Sequence, residues 1–389
     1  NKDDLTGKIE KENNILKKNG GKIFFTDEIS FSSSKLLNKK NLLMNGGQKN
    51  FLNSIKKNYN FENIKTIINN FKELNVLVIG ETIIDKYVFC EAVGKSGKDP
   101  MLVLRQIKDE KYLGGAAAVA NHVSAFTKNI KLISIKGDNK DEDNFINEKL
   151  NKVIKKKYFI KEKSPTILKT RFVDKNSNHK MLGVYNVNNE TLSKEKVKEI
   201  INYLKLEISK YDVVLTFDYG HGFINTEISK FLSKKSKFFA LNAQVNSMSL
   251  GSHSIEKYLR TSCLIINESE LRHELRDNIS PVENLVKKLF KKIKFKECVV
   301  TMGEKGALVY SKQNNLIHKC PAFASRIIDK IGAGDSFLPL YALTSVVNNE
   351  GNLSLLLGSL SAAQSVESIG NSNIVSKIKI LKTISHILK

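Results

Sequence analysis

The 389 residues are enough to bury a substantial core, and 41% hydrophobic with 26% charged residues is the balance of a soluble globular chain. No apolar run approaches the roughly 18 residues of a membrane span, and Asn1-Lys2-Asp3-Asp4 has no signal-peptide pattern, so no membrane partner and a cytoplasmic location are expected. The formal charge of +23 raises nucleic acid as a partner, but the lysines are spread among many asparagines as in an AT-rich genome. No nucleic-acid partner is expected, and an anionic small molecule fits the charge equally well.

Residues 1–72 are rich in Lys and Asn and read as separate from the rest of the chain. They hold one short strand candidate, Lys22 to Phe25, and the polar run Ser30-Phe31-Ser32-Ser33-Ser34-Lys35-Leu36-Leu37. A serine run entering a helix resembles the last motif of cytidylyltransferase-type nucleotidyltransferases, although the H-x-G-H motif of that family is absent. The segment is either the tail of an upstream nucleotidyltransferase-like domain or a linker with a capped helix. The chain opens on Asn rather than Met, which reads as a piece of a longer protein.

A second domain is expected over residues 73–389. Asn75 to Gly80 is a continuous apolar run ending in Gly, as a buried parallel strand should be. Tyr87–Cys90 and Met101–Ile107 are short strand-like runs, and Gly114-Gly115 opens a small-residue helix to Phe126. Thr166–Val173 and Met181–Val187 alternate across a polar turn and predict a hairpin. Strands at 213–217, 238–241, 264–266 and 298–301 then alternate with helices such as 194–209 and 281–292. This rhythm predicts an α/β fold, a mostly parallel sheet sandwiched by helices. The early strands, about 85–112 and 165–188, break it and predict a small separate sheet. Cys90, Cys263, Cys298 and Cys320 lack C-x-x-C spacing and read as buried reduced thiols.

The most informative stretch is Ile328-Asp329-Lys330-Ile331-Gly332-Ala333-Gly334-Asp335-Ser336-Phe337, followed by an apolar helix-like run to Val347. The two glycines let successive N–H groups converge on an anion at a positive helix N-terminus. Asp335 falls in the first turn beside that cradle. A carboxylate there is equipment for phosphoryl transfer, with a base for the acceptor hydroxyl and donors for the phosphoryl group. The plainer alternative is an N-cap Asp after a glycine turn.

Further motifs stand in order along the chain: Gly80-Glu81-Thr82-Ile83-Ile84-Asp85, Leu113-Gly114-Gly115-Ala116, Phe217-Asp218-Tyr219-Gly220-His221-Gly222, Asn267-Glu268-Ser269-Glu270, Val300-Thr301-Met302-Gly303-Glu304-Lys305-Gly306 and Ala362-Ala363-Gln364. From about residue 74 onward the chain resembles the ribokinase-like (PfkB-type) carbohydrate kinases, and within them most nearly the heptose-phosphate kinase branch. The resemblance implies an ATP- and Mg²⁺-dependent kinase acting on a sugar or sugar phosphate. It implies Asp335 as base, with Gly332, Ala333 and Gly334 as the anion hole. Asn267, Glu270, Thr301, Gly303, Gly306 and Ala363 would serve the nucleotide, Glu270 also positioning the metal. Asp85, Gly114, Gly115, Asn121, Arg171 and Asp218 would serve the acceptor. The small sheet would act as a lid and could carry a homodimer contact.

Several positions depart from the family pattern. Lys330 stands where a small residue is usual, Leu338-Pro339-Leu340 follow the expected base, and His221 replaces the Lys of D-Y-x-K-G. Leu241-Asn242-Ala243-Gln244-Val245-Asn246 replaces a D-P-K-type turn, and Ala118 stands where an Asn is common, leaving Asn121 as substitute. These departures keep open a second reading, a catalytically weak module that binds nucleotide or sugar.

Overall fold

The computed structural model describes residues 8–21, 44–244 and 253–388. The strand candidate at 22–25, the serine run at 30–37 and the 245–246 end of the Asn242 stretch lie outside them. The chain divides into two compact units, Asn1–Lys65 with Ser376–Lys389, and Thr66–Val375. The last helix thus groups with the N-terminal segment, which its position in sequence does not reveal.

Helices α1 (Lys8–Lys18), α2 (Gly46–Asn58) and α3 (Phe61–Asn70) come first. A capping box opens α2: Asn45 Oδ1 accepts from the Gln48 N–H at 2.8 Å, and Gln48 Oε1 accepts from the Asn45 N–H at 3.0 Å. Phe51, Leu52 and Ile55 form its buried face.

The strands of the larger unit are β1 (Val76–Lys95), β2 (Leu102–Gly114), β3 (Ile130–Gly137), β4 (Lys155–Lys161), β5 (Ile167–Asp174) and β6 (Lys180–Asn186). They continue with β7 (Val213–Asp218), β8 (Phe238–Ala243), β9 (Arg260–Asn267), β10 (Lys294–Thr301), β11 (Ala307–Ser311) and β12 (Leu316–Cys320). The helices between and after them are α4 (Gly115–Ser124), α5 (Asp143–Lys149), α6 (Lys194–Glu207), α7 (Thr226–Lys235), α8 (Glu268–Leu275), α9 (Val282–Lys292), α10 (Ala333–Asn348), α11 (Gly351–Ser365) and α12 (Lys377–Ile387), the last belonging to the smaller unit.

The main sheet runs β12-β11-β10-β9-β8-β7-β1-β3-β4, parallel from β10 to β4 and antiparallel at the β11 and β12 edge. On one face Leu77, Ile79, Val214 and Leu241 join Ile200 and Leu204 of α6, Leu232 of α7, Leu271 of α8 and Leu285 of α9 in one core. Burying each such side chain contributes roughly 1.5–3 kcal/mol. The other face packs against α4, α10 and α11, which are small or apolar on nearly every side.

The small sheet is not separate, as the sequence suggested. Its strand order is β2-β1-β5-β6, and β1 runs twenty residues without a break from the main sheet into it. Gly80 read as a strand end because glycine usually marks a turn. Here it answers a close approach instead: a Cβ at Gly80 would lie 2.1 Å from the Phe217 carbonyl oxygen of β7. The predicted hairpin stands as β5 and β6, paired antiparallel.

Candidate active site

Asp335 lies in the first turn of α10 and is 6% exposed. Gly332 caps that helix with φ +86°, a left-handed conformation that glycine adopts without strain. A Cβ there would also meet Asn371 Oδ1 at 2.2 Å, whereas one on Gly334 would project into open space. The first-turn N–H groups are therefore not covered from that side. Pro339 sits four residues after Asp335, so the Asp335 carbonyl receives no helical N–H from that position.

The Tyr219 hydroxyl donates to Asp335 Oδ1 at 2.9 Å. Burial pushes the Asp335 pKa up to about 6; the Tyr219 hydroxyl opposes the rise, the Asp85 charge adds to it, and Lys169 opposes it. A carboxyl poised there ionises below neutral pH yet remains a competent base. Tyr219 follows the end of β7, and its backbone is fixed from β1: Glu81 accepts from the N–H of Tyr219 at 3.1 Å and of His221 at 3.2 Å. Glu81 is fully buried, and burial followed by the charge of Asp218 lifts its pKa to about 7.

On the acceptor side Asp85 of β1 lies beside Gly114 and forms an ion pair with Arg171 of β5. Arg171, expected to be free for a phosphate, is thus occupied by the other expected substrate residue. The cation left over is Lys169, which the sequence reading passed over. It is 9% exposed and makes no ion pair or hydrogen bond among the described residues, while the charges of Asp85, Arg171, Glu81 and Asp335 all act on it. Alternation on β5 puts Lys169 and Arg171 on one face, a signal that was available in K-x-R. Burial, and then Lys169, push the His221 pKa down to about 3, so its ring is neutral. Its Nδ1 lies 2.8 Å from Asn189 Oδ1, and its Nε2 is buried without a partner among the described residues.

Two expected acceptor residues spend their polar atoms on protein partners. Asn121 of α4 uses both ends of its amide on one turn, donating to the Lys149 carbonyl at 3.0 Å and accepting from the Asn151 N–H at 2.9 Å. Asp218 is turned inward, paired with Lys257 and accepting from the Tyr258 hydroxyl at 2.7 Å and the Gly220 N–H at 3.1 Å. Its carboxylate braces the turn that carries Tyr219. Gly115 opens α4 next to Gly114.

Asn267, Thr301 and Gly303 line a cavity of about 560 Å³ with Arg272 and His273 of α8. Glu270 closes a capping box on α8, its Oε2 accepting from the Asn267 N–H at 3.0 Å. The Asn267 side chain interacts with the same carboxyl. Burial, with Asp335 adding in the same direction, lifts its pKa to about 7. A part-buried carboxylate close enough to Asp335 to feel its charge fits a hydrated Mg²⁺ that takes its other ligands from water and phosphates. Gly306 closes the turn after β10 against the Cys320 carbonyl and does not line the cavity, and Ala363 is half-buried on α11. Lys330 is exposed and faces Glu304 at 3.5 Å, away from the buried cluster. Asn242 donates to the Ile265 carbonyl at 3.1 Å.

The fold is shared with solved kinases. A ribokinase from Thermotoga maritima superposes with TM-score 0.61 at 20% identity, covering 80% of this chain and 99% of that one. An Arabidopsis thaliana ribokinase complexed with ribose and ATP superposes with TM-score 0.58 at 17% identity, over 81% and 99% of the two chains. These likenesses establish a ribokinase-like α/β fold. In sequence, the bifunctional protein HldE of Nitratiruptor sp. is 26% identical over 266 residues, 68% of this chain and 55% of that protein. The chain thus spans about half the length of such relatives. The profile of the pfkB family carbohydrate kinases matches residues 73–378. Nearly four-fifths of the sequence is covered by that match, so the chain belongs to the pfkB family of carbohydrate kinases, phosphotransferases with an alcohol group as acceptor.

Proposed function

We propose that the chain transfers the γ-phosphoryl group of ATP to a hydroxyl of a sugar or sugar phosphate, with Asp335 as general base. The observation that carries this reading is the buried Asp335 carboxylate, oriented by Tyr219 at the N-terminus of α10. As the acceptor oxygen bonds to the γ-phosphorus, the bond from phosphorus to the β–γ bridging oxygen breaks and the acceptor proton passes to Asp335. The N–H groups of Gly332, Ala333 and Gly334 face the charge that develops on the phosphoryl oxygens. Mg²⁺ held through Glu270 would offset negative charge on the β- and γ-phosphates. ATP is supported by the fold shared with a ribokinase that binds it.

Lys169, with no ion-pair partner among the described residues, favours an acceptor with an anionic substituent, and the resemblance of the sequence motifs to the heptose-phosphate kinase branch supports a heptose phosphate among such acceptors. In this reading the small sheet is a lid over the acceptor. Exposed Val93, Leu102, Ile107, Leu182 and Val184 on that sheet support a homodimer through it. No helix among the described residues is long and apolar enough to cross a membrane, and we place the enzyme in the cytoplasm. An upstream nucleotidyltransferase domain would couple the phosphorylation to sugar activation; a full-length gene without an H-x-G-H domain removes that coupling.

The test is ADP release with ATP and Mg²⁺ across hexoses, heptoses and their phosphates, beside Asp335→Asn. Turnover on one sugar that falls at least about a hundredfold in the variant is expected. ATP binding without turnover on any sugar would leave a nucleotide-binding regulatory module. Turnover unchanged by Asp335→Asn would remove Asp335 as the base.

A further inference from the structure

One buried carboxylate outside the acceptor cluster is saturated with donors from the small sheet and from the loops beside α10. Asp329 is 5% exposed. Its Oδ2 accepts from the Tyr87 hydroxyl at 2.8 Å and the Gly370 N–H at 3.1 Å. Its Oδ1 accepts from the Ile331 N–H at 3.1 Å and pairs with Lys180 Nζ at 2.5 Å. Ile331 immediately precedes Gly332, and Gly370 immediately precedes Asn371, whose Oδ1 sits against Gly332. Tyr87 lies on β1 and Lys180 begins β6. A single carboxylate therefore ties the loop that leads into α10 to two strands of the small sheet.

The four partners are not equivalent. Ile331 and Gly370 belong to the loops being held, and Tyr87 lies on the strand continuous with the main sheet. Lys180 alone comes from the outer hairpin and supplies the only full charge. Its side chain is 37% exposed while that of Asp329 is 3% exposed, so withdrawing the ammonium leaves a buried carboxylate with neutral donors only. The same hairpin carries Lys169 and Arg171 on β5, and the antiparallel β5–β6 ladder joins that strand to Lys180.

We propose that the Lys180–Asp329 ion pair is a latch through which the seating of the β5–β6 hairpin orders the Ile331–Gly334 loop at the N-terminus of α10. Lys180 is a positioning residue; it acts through Asp329 and touches neither ATP nor acceptor. The kinetic part of the inference rests on the kinase reading above. The structural part does not, because it concerns the free protein.

The experiment compares the full chain with Lys180→Met and Lys180→Arg. Amide hydrogen exchange at Ile331 and Gly370, the two N–H groups bonded to Asp329, is measured without ligand, followed by steady-state kinetics. In Lys180→Met, exchange at both amides accelerates at least about tenfold while the β7 and β9 amides keep their protection. The kcat falls at least about tenfold while the KM for ATP changes less than about threefold. Lys180→Arg restores both. Unchanged exchange at Ile331 and Gly370 overturns the latch, as does loss of protection across the whole domain or a failed rescue by arginine. A wild-type protein without turnover sinks the kinase reading, and the exchange data still decide the latch.

Discussion

The hydroxyl of Tyr219 donates to Asp335 Oδ1 at 2.9 Å, linking the turn after β7 to the first turn of α10. The bond stabilises the ionised carboxylate, so removing it moves the Asp335 pKa upward from about 6. A base works only when deprotonated. In Tyr219→Phe the acid limb of kcat/KM should therefore shift to higher pH, with a several-fold loss near pH 6 and a smaller one near pH 8. A pH–rate profile checks this; a limb that stays in place means Asp335 is not the group that titrates.

Lys169 and Arg171 share a strand and a face, but their substitution should read out differently. Lys169 has no ion-pair partner among the described residues and lies only over the Tyr185 ring, so Lys169→Met should raise the KM for phosphorylated acceptors by about ten- to a hundredfold, the worth of one charged hydrogen bond, with little change for neutral sugars. Arg171→Met takes the ion-pair partner from buried Asp85 and leaves it only the more distant Lys169 charge, so this variant should be measurably less stable than the wild type, by up to about 3–5 kcal/mol. Kinetics on matched sugar and sugar-phosphate pairs, with urea unfolding of both variants, separates the roles. Equal KM effects on neutral and phosphorylated acceptors would remove Lys169 from anion recognition.

Local signals in the sequence were legible, and distant contacts were not. The glycine turn before Asp335 and the alternation of strand and helix are near-neighbour patterns, and both survive in the structure. The continuity of β1 was hidden because Gly80 serves a contact with Phe217, distant in sequence, and looks like a turn from its neighbours alone. Motif position points to Asn121 and Asp218 as acceptor residues, whereas their polar atoms meet Asn151 and Lys257, partners that only the fold brings near. Lys169 was missed for the opposite reason: a lysine gains meaning only once its possible partners are found to be paired elsewhere.

Glu81 sets a pH dependence of stability whose sign is fixed by its burial. Its folded pKa of about 7 lies above the ordinary carboxylate value of 4.5, so the folded state keeps a proton that the unfolded state loses between those limits. Stability contributed by this group is present below pH 4.5 and is lost as pH rises through 7. His122, His221 and His253, all held below their usual range by burial, act with the opposite sign as pH falls below 6.5. Asp335 and Glu270 act with the same sign as Glu81. All of these cancel in the difference between wild type and Glu81→Gln. The amide cannot accept from the N–H groups of both Tyr219 and His221, so the variant should be the less stable protein at pH 5. That deficit should shrink as pH rises to 8, because only the wild type must ionise a buried carboxyl. Urea unfolding of both proteins at pH 5 and pH 8 measures it; a deficit independent of pH would mean that Glu81 is already ionised in the folded state at pH 5.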